Sequence, residues 1–392
     1  MSDRIVRRMA PLLLAAVLAG CAGGRAAPSA PSGGTAPSAP SGSAGSGAGA
    51  SAPAAPAPGG ASSGSAGAAG GASAPSGGAS ADTAAAQAPV ALKFGLPVPS
   101  VNSLDMFIAD QRGFLREQGL DVEIIISGPA SQTIQAMVGN SLDIASPVPD
   151  GLINANEKGA DLVFIAGEFN RAVYSLIGSK DVRGYTDLKG KTLAVSDLRD
   201  GTTTLLRRML QQNGIGRDDV DLVPLGGTPN RAAAVTSGQA AATLLSQPQD
   251  FRLMADGYPR LGLSTDAVRD YFFQGHAARR AWLRDNADTA VRFLRAIVQA
   301  DRFMYDPANR DTVINLLAEG TKSGPEESTQ TYDLVIVREQ ALAKEGEMNP
   351  EGLQNVITIL GDTGLLEPPL PAAEKYYDLS YLERATSASR GN

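Results

Sequence analysis

From residue 90 onward, short apolar runs alternate with longer stretches in which apolar residues recur every three or four positions. The short runs predict β-strands and the longer stretches predict amphipathic helices, an alternation typical of an α/β fold with largely parallel sheets. The predicted strands cover residues 91–96, 121–126, 143–145, 162–166, 173–178, 192–195, 221–225, 242–245 and 260–263. The predicted helices between them begin near residues 103, 130–131, 149–150, 201–202, 229–230 and 248–249.

After residue 273 the pattern becomes almost wholly helical, and residues 286–305 form the longest periodic stretch. The strands and helices before that point fall into two consecutive sets. We therefore predict two lobes, each a mixed, mostly parallel sheet flanked by helices. Residues 90–180 would begin lobe I, residues 181–271 would form lobe II, and residues 272–392 would return to lobe I with the C-terminal helices packed on it. Crossovers near 178–184 and 268–275 then predict a hinge.

Residues 22–89 differ from the rest of the chain in composition. Between residues 22 and 88, 62 of 67 residues are Ala, Gly, Ser or Pro, and none is Val, Ile, Leu, Met or aromatic. Such a segment cannot bury enough apolar surface to offset the entropy of ordering it, so we predict a disordered tether. A flexible chain of this length would span roughly 45 Å on average.

The first 21 residues have the pattern of an export signal. Arg4, Arg7 and Arg8 precede a short apolar run over residues 11–20, which is too short to span a bilayer as a helix. The run ends in Leu-Ala-Gly-Cys, which resembles a bacterial lipobox and would make Cys21 the lipid attachment site. The alternative is a signal peptide that happens to contain a cysteine. The lipobox interpretation predicts an exported protein, lipid-anchored to a bacterial membrane.

Composition excludes several classes of function. The chain has one Cys and one His, which argues against a disulfide framework, a thiolate zinc site or a His-rich metal centre, and we predict no metal or cofactor. Residues 1–21 carry +2 and residues 22–89 are neutral, so the remainder of a chain of net charge −7 carries −9. A nucleic-acid-binding protein usually shows the opposite balance. No Gly-rich phosphate-binding motif follows a predicted strand.

Four blocks of sequence, in order, resemble one known superfamily. They are residues 108–122 with a closing Gly-Leu-Asp-Val, residues 131–145 ending in Leu-Asp-Ile-Ala, residues 187–195, and residues 238–248. Together they resemble the periplasmic-binding-protein type 2 superfamily, in particular its aliphatic-sulfonate, nitrate and thiamine-pyrimidine group of ABC-transporter substrate-binding proteins. Ala241 replaces the acidic residue usual in the last block, a departure expected to affect helix capping rather than ligand contact. The resemblance implies the two-lobed fold.

The resemblance also implies that a solute binds between the lobes, where strands end and helices begin. Helix starts present unpaired N–H groups and a partial positive charge, which suit a carboxylate, sulfonate or phosphate. The predicted solute contacts lie in the loops that reach this position. They are Ser100, Asn102, Ser103, Ser131, Gln132, Thr133, Ser146, Asp150, Arg199, Gly201, Thr202, Thr203, Thr228, Asn230 and Gln247.

Several of these residues have alternative interpretations. A hydroxyl before a helix is most often an N-cap, and Arg199 could be solvated or paired with a neighbouring Asp. Asp150 fits a first-turn acid favoured by the helix dipole better than a partner for a cationic solute. The single His276 is expected to be structural, and Trp282 is expected to be packing.

Three classes of function compete. The leading one is a solute-capture subunit, a monomer that closes around a small molecule and delivers it to an ABC permease and its ATPase. The loops favour a small organic anion such as a sulfonate or carboxylate, with a heteroaromatic thiamine-pyrimidine-like metabolite as the alternative solute. The second class is a solute-sensing or scaffold domain for a signalling partner. An enzyme is disfavoured because the only imidazole base is His276.

Overall fold

The computed structural model describes residues 88–97, 99–128, 130–198, 200–362 and 364–387. The predicted signal peptide, Cys21 and the tether therefore lie outside the described residues, as does Arg199. In the part of the chain that is described, no helix combines the length and the hydropathy needed to cross a membrane.

Ten strands of the described chain form two five-stranded sheets. The strands are β1 Val90–Leu96, β2 Leu120–Ile126, β3 Ile144–Ala145, β4 Leu162–Phe169, β5 Ser175–Gly178, β6 Lys191–Val195, β7 Val220–Pro224, β8 Ala242–Leu245, β9 Arg260–Leu263 and β10 Gln274–Arg279. The first sheet has the order β2-β1-β3-β10-β4 and the second the order β7-β6-β8-β5-β9. In each sheet one strand, β10 or β5, is antiparallel to both neighbours, and the remaining pairs are parallel.

The helices flank these sheets. They are α1 Leu104–Gln111, α2 Phe114–Glu117, α3 Ala130–Val138, α4 Pro149–Glu157, α5 Gly201–Gln212, α6 Thr228–Thr236, α7 Gln249–Ala255, α8 Ser264–Ala267, α9 Arg280–Asp285, α10 Ala287–Tyr305, α11 Arg310–Thr321, α12 Pro325–Tyr332, α13 Pro350–Asp362 and α14 Ser380–Ser387. A π-helical turn, Asp333–Arg338, follows α12.

The C-terminal helices pack on the first sheet. Helix α10, the longest periodic stretch of the sequence, lies against α1, α2 and β2, and α14 lies against α10 and β4. Phe293 of α10 stacks on Phe94 of β1 with ring centroids 5.6 Å apart. Every residue of β4 is buried, as expected for a strand covered on both faces. The predicted α/β fold, with two mixed sheets flanked by helices and a helical C-terminal part on the first lobe, is confirmed.

The first crossover lies earlier than the sequence predicted. Strand β5 was expected to end the first lobe, but it pairs with β8 and β9 of the second sheet. The chain therefore changes sheets between Phe169 and Ser175, not near residues 178–184. It returns before β10, and an isolated bridge between Arg171 and Tyr271 holds the two crossover segments side by side.

The first helix begins at Leu104, as predicted near residue 103, but the side chain that caps this region differs from the prediction. Ser100, not Ser103, supplies the side-chain cap, because its Oγ accepts the N–H of Asn102 in a 3-10 turn that precedes α1. Ser103 makes no side-chain capping bond. The helix then ends before Gly113, whose φ of 86° suits a residue without a Cβ.

Candidate functional site

The amino ends of two helices, one from each lobe, meet where the lobes face each other. Asp150 is in the first turn of α4 beside the first sheet, and Gly201 is the first residue of α5 beside the second sheet. A Cβ on Gly201 would stand 3.6 Å from Asp150 Oδ1 and 3.1 Å from the Tyr271 hydroxyl oxygen. The second crossover, which contains Tyr271, therefore closes one side of this contact.

Asp150 is buried between the lobes and is not fully hydrogen-bonded. Asp150 is only 4% exposed, and its Oδ1 has no hydrogen-bond partner among the described residues. Burial, followed by the negative charge of Asp200, raises the pKa of Asp150 to about 7, although the N–H groups of Gly151 and Gly201 favour the charged form. Near neutral pH this carboxyl can therefore either accept or donate a hydrogen bond.

The loop before α5 uses most of its polar groups internally. Asp200 is the N-cap of α5, because its Oδ1 accepts the N–H of Thr203 at 2.9 Å. The hydroxyl of Thr202 lies 2.6 Å from that of Ser196 and 3.0 Å from Asp200 Oδ1. In this arrangement Thr202 and Thr203 hold the loop in shape, while Gly201 supplies the surface that faces Asp150.

The loop after β1 contributes a second group of polar side chains. Asn102 Nδ2 donates to Gln274 Oε1 at 3.3 Å, and the same side chain favours the charged form of the Tyr174 hydroxyl by a hydrogen bond. Ser103 is buried, and its Oγ has no partner within the described chain. Ser146, which follows β3, lies deeper, with its Oγ 3.2 Å from His276 Nδ1.

Arg231 of α6 is a cation that the sequence analysis did not select. It is 3% exposed; Nη2 donates to Thr228 Oγ1 at 3.1 Å, and Nε has no partner among the residues described. Burial lowers the pKa of Arg231, while the charges of Tyr174 and Asp200 raise it. Arg231 and Val235 are both buried and lie one turn apart on α6. A charged residue on the apolar face of a predicted helix was therefore the sequence signal that could have identified Arg231.

Two tyrosines of the crossovers were also not among the predicted contacts. Burial raises the pKa of Tyr174 to about 12, and the charge of Arg231 partly opposes this shift. Burial and then the charge of Asp150 raise the pKa of Tyr271 well above its usual range. Both hydroxyls are therefore neutral donors near the interlobe contact. Both rings come from the crossover segments and not from the helix-start loops in which the solute contacts were predicted.

The remaining predicted residues lie in more varied surroundings. Ser131, Gln132 and Asn230 are exposed, and Asn230 Nδ2 donates to the Leu225 carbonyl at 3.1 Å. Thr133 is buried, with its hydroxyl 2.6 Å from that of Ser127. Gln247 is buried after β8; its Nε2 donates to Asp250 Oδ2 at 3.0 Å, but its Oε1 has no partner in the described residues.

Several buried polar atoms without partners come from both lobes. In the described chain they include atoms of Ser103, Asp150, Arg231 and Gln247. Buried polar groups are almost always hydrogen-bonded in proteins, so these atoms are available to hydrogen-bond a bound molecule. A groove of about 810 Å³ runs along α5 from Thr204 to Gln211 and beside α13, but none of the predicted residues that the structure describes lines it. The interlobe contact is therefore the candidate site.

Comparison with known proteins identifies the family. The sequence model of the NMT1/THI5-like family matches residues 100–309, more than half of the chain. The chain belongs to this family. The NMT1/THI5-like match runs from the loop after β1 to the turn after α10, so it includes every strand of the two sheets except β1, and it includes the interlobe contact.

Individual relatives agree with this assignment. YtlA of Bacillus subtilis (strain 168), whose naming as a binding protein is itself provisional, is 24% identical over 279 residues, or 68% of this chain and 81% of YtlA. The alkanesulfonate-binding protein SsuA from Xanthomonas axonopodis pv. citri, solved with MOPS bound, is 18% identical with a TM-score of 0.62, over 74% of this chain and 98% of SsuA. The periplasmic nitrate-binding protein NrtA from Synechocystis PCC 6803 is 15% identical with a TM-score of 0.64, over 76% and 89%. The NMT1/THI5-like chain thus has the periplasmic-binding-protein fold.

Proposed function

We propose that this protein is the extracytoplasmic solute-binding subunit of an ABC importer. It captures a small molecule between its two lobes by hinge closure and delivers it to a permease coupled to an ATPase. The observation that supports this most directly is the set of buried polar atoms without partners that both lobes contribute at the interlobe contact. Its fold relatives include proteins named for binding alkanesulfonate and nitrate, which supports the same role.

The charges at the interlobe contact bear on the kind of solute. The buried guanidinium of Arg231 and the helix start at Gly201 support an oxyanion such as a sulfonate or carboxylate. Asp150 Oδ1 supports a solute that also offers an N–H or O–H donor. The proposed solute is therefore a small organic anion that carries at least one hydrogen-bond donor. Arg199, which was expected to bind the anion, remains a proposed contact.

Anchoring and partners belong to the same proposal. Cys21 would carry the lipid, and residues 22–89 would tether the binding domain close to the membrane that holds the permease. Binding without chemistry needs no activated nucleophile, and the only imidazole, His276, is buried against Asp105. The proposed subunit is thus a monomeric binding protein and not an enzyme. In a solute-sensing or scaffold role, the closed form would instead bind a signalling partner.

A heteroaromatic solute of the thiamine-pyrimidine kind is the second candidate. The observation in its favour is that Tyr174 and Tyr271 lie at the interlobe contact, together with an acid that can bond a ring nitrogen or amine. Such a solute would depend on Asp150 more than on Arg231. The anion candidate therefore predicts the larger loss of solute binding in Arg231→Gln, and the heteroaromatic candidate predicts it in Asp150→Asn.

A thermal-shift screen with variants tests these alternatives. The wild-type protein is screened against alkanesulfonates, carboxylates, nitrate, pyrimidines and polyamines, and a ligand at 100 times its dissociation constant should add about 2.7 kcal/mol of stability. Stabilisation by an anion that is lost in Arg231→Gln, but kept in the exposed control Arg252→Gln, would support the anion proposal. Stabilisation only by pyrimidines or cations, lost in Asp150→Asn, would replace it with the second candidate. A screen without any stabilising compound would contradict both.

A further inference from the structure

Three buried side chains of the first lobe bring one imidazole nitrogen and two carboxylate groups together. Asp105 is in α1, Glu168 is in β4, and His276 is in β10. Their residues are 1%, 1% and 0% exposed. One donor atom from each lies within 4.8 Å of the donor atoms of the other two. His276 was expected to be structural, and no metal site was predicted. The three residues are far apart in the sequence, and the fold brings them together.

In each of these side chains, one polar atom forms a hydrogen bond with a residue outside the cluster. A second polar atom remains that could bind an ion shared by all three. His276 Nδ1 lies 3.2 Å from Ser146 Oγ, Asp105 Oδ1 accepts the N–H of Met106 at 2.6 Å, and Glu168 Oε2 accepts from Gln274 Nε2 at 3.1 Å. The atoms that remain are His276 Nε2 and Asp105 Oδ2, which are 2.8 Å apart, and Glu168 Oε1, which has no hydrogen-bond partner in the described chain.

This arrangement matches the surroundings of metal-binding residues. A metal-ligating histidine almost always has its second ring nitrogen hydrogen-bonded, and ligating carboxylates are themselves held by outer donors. Here Ser146, Met106 and Gln274 supply those outer bonds. Gln274 is in turn oriented by Asn102, whose Nδ2 donates to it. The rings of Phe94 and Phe293 lie 5.8 and 5.4 Å from the imidazole and exclude water from that side.

We propose that Asp105, Glu168 and His276 hold a divalent transition-metal ion such as Zn²⁺, through Oδ2, Oε1 and Nε2 respectively. One imidazole with two carboxylates is a donor set that suits Zn²⁺, Mn²⁺ or Co²⁺. The ion takes the place of the proton between Asp105 and His276. A tetrahedral ion about 2.0–2.1 Å from both atoms separates them by about half an ångström more than now, a small adjustment for two side chains.

The local charge favours a cation. Asp105 and Glu168 are both buried, and the only basic side chain of this three-residue cluster is the imidazole of His276. A divalent ion compensates two carboxylates at once, whereas protons compensate them singly.

The ion would stabilise the first lobe where the chain leaves it and returns. Strand β4 leads into the first crossover, β10 follows the second, and α1 follows the loop that contains Asn102. An ion that joins these three elements would limit their relative movement next to the two crossovers. The proposed metal ligands do not include Asp150, Gly201 or Arg231, so the proposal does not depend on which solute binds at the interlobe contact.

The test uses the full chain without a polyhistidine tag, dialysed against EDTA and titrated with Zn²⁺ or Co²⁺. Because His276 is the only histidine of the sequence, every imidazole signal belongs to it. We expect binding of one ion, a rise in melting temperature reversed by EDTA, visible Co²⁺ absorption bands and a shift of the His276 ring resonances with Zn²⁺. Glu168→Gln should abolish tight binding. Ser146→Ala, which removes an outer bond, should weaken it about 10- to 100-fold.

Two controls keep the result specific. Glu123→Gln removes an exposed carboxylate of β2, and Cys21→Ser removes the only thiol of the chain; neither should change the affinity. The proposal would be overturned by a wild-type protein whose ring resonances do not move with Zn²⁺. It would equally be overturned by binding that survives both Glu168→Gln and Asp105→Asn, or by binding that disappears in Cys21→Ser. The cluster would then be a proton-sharing network.

Discussion

Asp150 and Gly201 face each other across the two lobes, with the position of a Cβ on Gly201 only 3.6 Å from Asp150 Oδ1. The two residues are the amino-terminal residues of helices that belong to different sheets. The positive ends of both helices therefore converge on one carboxyl group. This contact is the clearest link between closure of the lobes and the chemistry of the candidate site.

Gly201→Ala should weaken closure. The added methyl group would stand 3.1 Å from the Tyr271 hydroxyl oxygen, which must yield by a few tenths of an ångström. We expect a loss of about 1.4 kcal/mol, or roughly tenfold in solute affinity, measured by calorimetry. The matched control is Gly184→Ala, also in the second lobe, where a Cβ meets no atom within 4 Å. Equal affinities for wild type and Gly201→Ala would show that the contact plays no part in closure.

The stability of the protein should depend on pH through Asp150. Its pKa is 3.8 in an unfolded chain and about 7 in the folded protein, so the folded state retains a proton that the unfolded state loses. The contribution of Asp150 is therefore fully present below pH 3.8 and is lost as the pH rises to about 7. The total loss is of the order of 4 kcal/mol in the free energy of unfolding.

Asp150→Asn isolates this contribution, because the amide does not titrate in that range. Urea denaturation of both proteins between pH 4 and pH 8.5 should show the stability of the wild type falling relative to the variant as the pH rises. The exposed acid Asp256, changed to Asn, serves as the control and should leave the profile unchanged. A constant difference between wild type and Asp150→Asn across this range would contradict the raised pKa.

Local periodicity was sufficient to predict most elements of the fold. Residues 286–305 were expected to be the longest helix, and α10 spans Ala287–Tyr305. Strand β5 was assigned to the wrong sheet because a short apolar run looks the same in either sheet. Its antiparallel pairing with β8 and β9 shows that β5 belongs to the second sheet. That pairing joins segments far apart in sequence, so local periodicity does not reveal it.

The site was harder to predict than the fold for a related reason. Loop positions such as Asp150 and Gly201 could be found because helix starts have a local signature. Arg231, Glu168 and Tyr174 were not selected, because their burial depends on elements distant in sequence. A glutamate inside a buried strand is the one local signal that pointed to Glu168.

Membrane association should depend on Cys21. The Leu-Ala-Gly-Cys sequence predicts that this residue is lipidated after export, so Cys21→Ser should yield protein that no longer partitions with membranes. Detergent phase separation and metabolic labelling with a fatty acid measure the two effects independently. The folded domain should keep its melting temperature, since the substitution lies far in sequence from the first strand. Unchanged partitioning of the variant would exclude the lipobox.

Solute should bring the lobes together. A full chain with Cys21→Ser offers no thiol, so Glu123→Cys in β2 and Asp221→Cys in β7 place two spin labels on exposed positions, one in each sheet. Because the chain crosses twice between the sheets, rotation about the crossovers should change the distance between the labels without unfolding either lobe. A solute can shift the equilibrium between open and closed forms only by the difference between its binding free energies for the two forms. We therefore expect a broad or longer distance distribution without solute and a narrower, shorter one with it. In the Gly201→Ala background more solute should be needed for the same shift. A stabilising solute that leaves the distribution of the labelled wild type unchanged would show that the interlobe contact is rigid and that capture does not use a hinge.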